Sequence, residues 1–451
     1  SSADSPYPQT PSISDLDQKS EPTQSSMLTG GKLYLSYVDV YIPGLGRNSG
    51  NDLQFQGSYS NQDGFSGGVL GCGWVSNLDI SLMDDGGSTI IFREQDGYLY
   101  SFAQQSAGLY VKGQMTLAKL GDGTYVLTKA HGTKYNFDAA GKIQSIVDNN
   151  GNTITYHYTG LLVASLSDPS GRSLQFSYND KNKLSGMKDP LGRTWSYAYD
   201  ANNNLISVTD PLNRAVIFGY SDAIDPHNVT SITDADGGMA SFSFDAEDKL
   251  TSQTKPDQSQ TTFIYNNFLG SSTMTDSSGS TWNFEYVLSG MTTVVIDPAK
   301  RVSEYTYDPN LRKMTSWRDP KNEATSFQYD TGQDLSKVML SSGATISYTY
   351  DPGFHKWISK NESAGVSITR ELDTRGNVIR IRHSRDGETV FAYNANGLPV
   401  RRTDPDGAVF IYNYDAYGNL VSIESPGETV QLDYDLVGRL ISRTGPGGVT
   451  R

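Results

Sequence analysis

The stretch Gly192-Arg-Thr-Trp-Ser-Tyr-Ala-Tyr-Asp200, continued by Ala201-Asn-Asn-Asn204, Leu205-Ile-Ser-Val-Thr209 and Asp210-Pro211, decides the fold. Trp195, Tyr197 and Tyr199 alternate with Thr194, Ser196 and Ala198, so in an extended chain the rings share one face and the small groups the other. The asparagines after Asp200 tolerate the positive φ of a tight turn, and Leu205 opens a return strand. The unit reads as a β-hairpin.

Outward from this copy the pattern recurs from 132 to 447 with a period of roughly 20 to 22 residues, giving about fifteen units. A second full copy runs from Gly407 through Tyr412, Tyr414-Asp415 and Gly418 to Leu420 and Pro426. The alternation predicts an aromatic ladder of Tyr156, Tyr158, Phe176, Tyr178, Trp195, Tyr197, Tyr199, Trp282, Phe284, Tyr286, Tyr305, Tyr307, Phe327, Tyr329, Tyr348, Tyr350, Tyr412, Tyr414 and Tyr434. Asp168-Pro169, Asp189-Pro190, Asp210-Pro211, Asp297-Pro298, Asp319-Pro320 and Asp404-Pro405 are expected to end return strands, where proline stops the ladder by lacking a donor.

Two copies depart from the pattern. Between 365 and 385, Arg370 and Glu371 stand in the ladder, with charges expected to reach solvent or pair with one another. The copy from 213 to 236 is stretched by Asp225-Pro226-His227, read as an enlarged surface loop.

The flanks differ. Residues 1–26, rich in Ser, Pro, Gln and Asp, read as a disordered leader or an extended arm reaching a groove of this or a neighbouring subunit. Residues 27–131 carry irregular strand-like runs separated by Asp85-Gly86-Gly87, Asp96-Gly97 and Asp122-Gly123, a β-domain expected to cap the repeats. Residues 448–451 begin a further repeat.

Bulk composition fits this reading. The 451 residues include 45 Gly and 28 Tyr but only 36% hydrophobic residues, which suits many short strands and frequent turns. A net charge of −14 argues against nucleic acid as a partner, and no run of about eighteen apolar residues spans a membrane. Cys72 is the single cysteine, so no internal disulfide forms.

The recurring Gly…Tyr-Asp…Gly-Arg-Leu units resemble the RHS/YD-repeat family over about 70% of the chain. Thr29-Gly-Gly-Lys-Leu-Tyr34, Asp39-Val-Tyr-Ile-Pro-Gly-Leu-Gly46, Gly57-Ser-Tyr-Ser60 and Leu70-Gly-Cys-Gly-Trp74 resemble the domain that precedes the repeats in bacterial RHS proteins. The resemblance implies an all-β fold in which the hairpin array forms one curled or spiral continuous sheet, a hollow shell commonly enclosing a C-terminal toxin or effector. Physics points the same way: about thirty strands at roughly 4.8 Å spacing make a ribbon near 140 Å long, too many strands to stay open without curling. The family's core domain, self-cleaving segment and toxin tip would lie beyond Arg451.

Each chemical motif has a plainer structural reading. Asp189-Pro-Leu-Gly-Arg193 superficially matches a self-cleaving Asp-Pro, but Asp-Pro recurs at the same phase of the array and reads as a turn. His131, His157, His227, His355 and His383 lack metal-site or Ser/His/Asp spacing. Asp84-Asp85-Gly86, Asp234-Ala-Asp236-Gly237 and Asp404-Pro-Asp406-Gly407 lack a complete calcium-loop spacing. The aromatic stripe could stack on sugars but reads better as a packed wall, with edge hydroxyls meeting water. No catalytic residue, metal or cofactor is therefore assigned.

Two functions remain open from the sequence. The first is a non-catalytic shell segment that sequesters an effector. The second is an exported cell-surface YD-repeat protein serving adhesion, glycan contact or filament assembly. The expected location is secreted or at the cell surface, alternatively cytoplasmic before delivery by a secretion system.

Overall fold

The computed structural model describes residues 31–45, 52–62, 68–266, 268–287, 291–445 and 448–450; the arm expected over 1–26 lies outside them. Among the described residues the chain is all-β, from strand Tyr34–Ile42 to strand Gly448–Thr450. These described residues divide into two compact units, one within 31–36, 58–75 and 197–346, the other within 37–57, 76–196 and 347–450.

In the first unit, each strand from Leu205–Thr209 to Leu335–Met339 pairs antiparallel with the next. The second unit holds two such runs. One extends from Ser81–Asp84 to Leu184–Lys188, the other from Trp357–Glu362 to Gly448–Thr450. Tyr125–Thr128 and Lys134–Phe137 pair in the same manner across residue 131.

One turn design recurs at both ends of the hairpins. In Asp168–Arg172 the Asp168 N–H donates to the Arg172 carbonyl (3.1 Å) and the Gly171 N–H to the Asp168 carbonyl (3.0 Å). Asp168 Oδ1 accepts from the Ser170 and Arg172 N–H groups, both at 3.0 Å. This is a three-residue loop that ends in a left-handed residue, with an Asx cap at its start. Pro169 occupies the first loop position, where a fixed φ suits the turn. The Asp-Pro pairs therefore do not interrupt the sheet: Leu162–Ser167 pairs directly with Ser173–Tyr178 across this turn.

Gly171 sits at φ 86°, but Lys300 and Gln333 hold the equivalent place at φ 63° and 67°. A side chain there costs roughly 1–2 kcal/mol. The exposed Lys300→Gly is expected to raise stability by about 0.5–1 kcal/mol, after the extra backbone entropy of glycine is set against the relieved strain. Urea titration checks this; an unchanged or lower midpoint contradicts it.

A β-bulge follows the Tyr-Asp turn. Ser177 pairs with Gly186 but Tyr178 pairs with Leu184, so the return strand carries one extra residue. That brings Leu184 and Met187, three apart, to the same buried face, and Leu335 and Val338 repeat the arrangement.

Candidate functional site

The ladder is held by its last tyrosine. The hydroxyl of Tyr158 donates to the Ile143 carbonyl (2.6 Å), Tyr178 to Val163 (2.7 Å), Tyr265 to Leu250 (2.8 Å), Tyr329 to Met314 (2.7 Å), Tyr393 to Val378 (2.7 Å) and Tyr414 to Pro399 (2.8 Å). Each acceptor lies fifteen residues back, at the bulge of the preceding hairpin. A bulge disrupts the ladder locally, so the phenol joins neighbouring hairpins by supplying a donor there. Burial pushes the Tyr158, Tyr178 and Tyr265 hydroxyls above their ordinary pKa, keeping them protonated donors. These hydroxyls bond to protein rather than to the water expected from sequence. Tyr178→Phe should cost about 1 kcal/mol, seen as a lower urea midpoint, because the Val163 carbonyl loses its partner; a variant as stable as the parent would remove the strut's energetic role.

In the first unit, the segment 58–75 seats on the ladder face. Trp74, fully buried, lies edge-on to Phe218 with ring centres 5.0 Å apart, and its Nε1 donates to the Tyr220 hydroxyl (3.0 Å). That hydroxyl donates in turn to the Leu205 carbonyl (2.9 Å). Tyr59 donates to the His227 carbonyl and accepts from the Val229 N–H, both at 3.0 Å. The stretched copy is the expected surface loop over Ala223, Ile224 and Pro226, but it turns inward at its end. Val229 and Asn228 are buried, and the Asn228 amide bonds to Asp222 (2.9 Å) and Asp248 (2.5 Å). The insertion supplies the backbone groups that a buried Tyr59 needs.

In the second unit, ladder residues of early repeats such as Leu166, Leu174 and Met187 are buried, Phe55 lies 5.6 Å from Phe176, and Tyr156 donates to the Asn77 carbonyl (3.1 Å). Ladder residues of late repeats, including Trp357, Ile381, Phe391, Phe410 and Tyr412, are only half-buried. There Arg370 lies 3.3 Å from the centre of Trp357 and Arg402 4.1 Å from Phe410, as cation–π contacts. Glu371 pairs with Arg382 (2.5 Å) and Arg380 (3.6 Å), and both arginines also meet Glu388. Glu371 thus pairs as the sequence reading allowed, whereas Arg370 does not: its guanidinium packs on Trp357.

Early and late turns of this unit also meet directly. Asn377 Nδ2 donates to Asn150 Oδ1 (2.8 Å), and Asn152 Nδ2 to the Asn396 carbonyl (2.9 Å). Gly397, at φ 78°, leaves room for Asn150, whose side chain would stand 2.3 Å from a Cβ. Arg172 bonds to Asp168 (2.7 Å), the Pro43 carbonyl (2.7 Å) and the Leu436 carbonyl (3.4 Å), with Tyr417 5.4 Å away. No periodic signal in the sequence announces contacts between residues 227 to 264 apart.

The chemical candidates are absorbed by these elements. Asp189 Oδ2 pairs with Arg193 (2.6 Å) inside an ordinary turn. Asp84 accepts from Lys119 and Tyr125, both at 2.7 Å, and these bonds lower its pKa to about 2. His131 meets the Phe354 carbonyl, His157 meets Ser167, His227 meets Asn204, His355 meets Gln114 and His383 meets Asp386. Cys72 is half-buried, 3.9 Å from the Asn202 carbonyl. Among the described residues no group of three or more His, Cys, Asp or Glu is placed to hold a metal ion, and no helix is long and apolar enough to cross a membrane.

A solved structure of TcdB2-TccC3-TEV is 11% identical with a TM-score of 0.47, covering 87% of this chain and 28% of its own. The Photorhabdus luminescens Tc holotoxin pore is 12% identical with a TM-score of 0.36, covering 88% of this chain and 29% of its own. The chain thus spans less than a third of the length of these structures. No curated protein matches it. A domain of unknown function, DUF6531, matches residues 26–102. The Teneurin YD-shell model matches residues 122–353 and 320–445, more than two thirds of the sequence, and the chain belongs to this YD-shell family of RHS/YD-repeat proteins.

Proposed function

We propose that this chain is a non-catalytic wall segment of an RHS-type shell enclosing an effector polypeptide, with the effector and a core domain encoded beyond Arg451. Residues 27–131 act as a cap, 132–447 as the repeat wall, and 1–26 as an arm toward neighbouring subunits. The protein works outside the cell or at its surface, after a cytoplasmic stage before delivery. The observation that carries the reading is the reuse of one turn, one bulge and one tyrosine strut from Asp138 to Arg439. The Asp, Arg, Gly and Tyr residues that look chemically suggestive serve to extend a sheet.

Protease challenge of the native protein tests the reading. The expected result is a polypeptide outside residues 1–451 that survives digestion when associated with the wall and is degraded when isolated. Equal degradation in both states would contradict enclosure.

A further inference from the structure

Beside the Asp168 and Asp189 turns, the second unit carries an open groove of about 590 Å³. Its walls are strands Ser173–Tyr178 and Leu184–Lys188, the Asp189 turn, and Tyr417 and Leu436 from late repeats. Gln175 and Lys188 stand directly opposite each other in the register, while their neighbours Leu174 and Met187 point into the core. The stem of Lys188 follows the turn, its Cε 3.6 Å from where a Cβ on Gly192 would lie.

The charges lining the groove do not cancel. Arg172 is neutralised by Asp168 at 2.7 Å and Asp189 by Arg193 at 2.6 Å. Lys188 pairs with no carboxylate among the described residues, so one positive charge remains in a chain of net charge −14. The Ser173 hydroxyl, the Gln175 amide and the Tyr417 phenol border the same space and have no hydrogen-bond partner among the described residues. One cation, two neutral polar groups and an aromatic ring fit a ligand that is anionic at one point, hydroxylated at its rim and flat on one face.

We propose that this groove binds an acidic sugar of the uronate class, with its carboxylate on Lys188, its hydroxyls on Ser173 and Gln175, and its ring against Tyr417. An uncharged sugar lacks the partner for Lys188. A simple carboxylate lacks the hydroxyls and the ring. The site involves no covalent step, and it stands independently of the enclosed effector.

Titration of the full chain with glucuronate, glucose and acetate, followed by ligand-observed NMR, tests this. The expected result is saturable glucuronate binding, at least about tenfold weaker for glucose and for acetate, and at least about tenfold weaker in Lys188→Met. Lys188 is exposed, so its variant should keep the parent's unfolding midpoint; Gln175→Leu on the adjacent strand should lower affinity several-fold and serves as the second variant. Absence of saturable binding at millimolar glucuronate overturns the proposal. So does binding retained in both variants, or acetate binding as tightly as glucuronate, which would leave only a point of positive charge.

Discussion

Replacing Arg172 with leucine is expected to destabilise the second unit by about 3–5 kcal/mol, among the largest single-residue effects in the chain. Both Arg172 and Asp168 are almost fully buried, with side-chain exposures of 1% and 0%. Removing the guanidinium leaves the carboxylate in a site closed to water, still held by Ser170 but without its counter-charge. The same guanidinium also serves the Pro43 and Leu436 carbonyls, so the loss reaches the leading segment and a late turn. Arg214, whose pair with Asp210 has the same spacing but is 60% exposed, is the natural control. Its leucine variant should cost no more than about 1 kcal/mol, because water and salt screen an exposed pair. Urea unfolding of both variants checks the contrast. Equal losses would mean that burial does not set the strength of the turn pair.

Trp74→Ala should cost the first unit about 3–5 kcal/mol. The indole is fully buried between Tyr59, 5.2 Å away, and Phe218, and its removal leaves a cavity as well as an altered Tyr220 hydrogen bond. The effect should be local first. Amide exchange at Val229, which donates to Tyr59, should accelerate more than exchange in distant repeats of this unit such as Tyr329. Uniform acceleration would show that the leading segment contributes to global stability without docking specifically on the ladder.

The repeat was legible because its signals are local. Alternating rings in Trp195-Ser-Tyr197-Ala-Tyr199 mark the strand, and Asp-x-x-Gly marks the turn, since only a few residue types accept its geometry. The bulge was not read: its signal, the three-residue spacing of Leu184 to Met187 and Leu205 to Val208, is skipped over by a strict two-residue period. The strut was harder to see: a Tyr at the strand end is visible, but its acceptor fifteen residues back is a carbonyl, which every residue has.

Contacts across the array were not legible at all. Asn150 with Asn377, and Arg172 with Leu436, join residues whose separation is set by the accumulated geometry of many hairpins. The stretched copy forms the expected loop, with Ala223, Ile224 and Pro226 exposed, but its inward end was not legible for a related reason. Asp225-Pro226-His227 carries a loop composition, yet the next residues, Asn228 and Val229, are buried because Tyr59 from the distant leading segment closes over them. The groove beside Lys188 belongs to the same class, since Tyr417 comes from a repeat more than two hundred residues away.

The proposed function is a wall of repeats around an effector polypeptide. Cryo-electron microscopy of the native protein, purified without fragmentation, tests it most directly. A hairpin sheet surrounding density that residues 1–451 do not fill is the expected result; an empty wall would overturn the proposal.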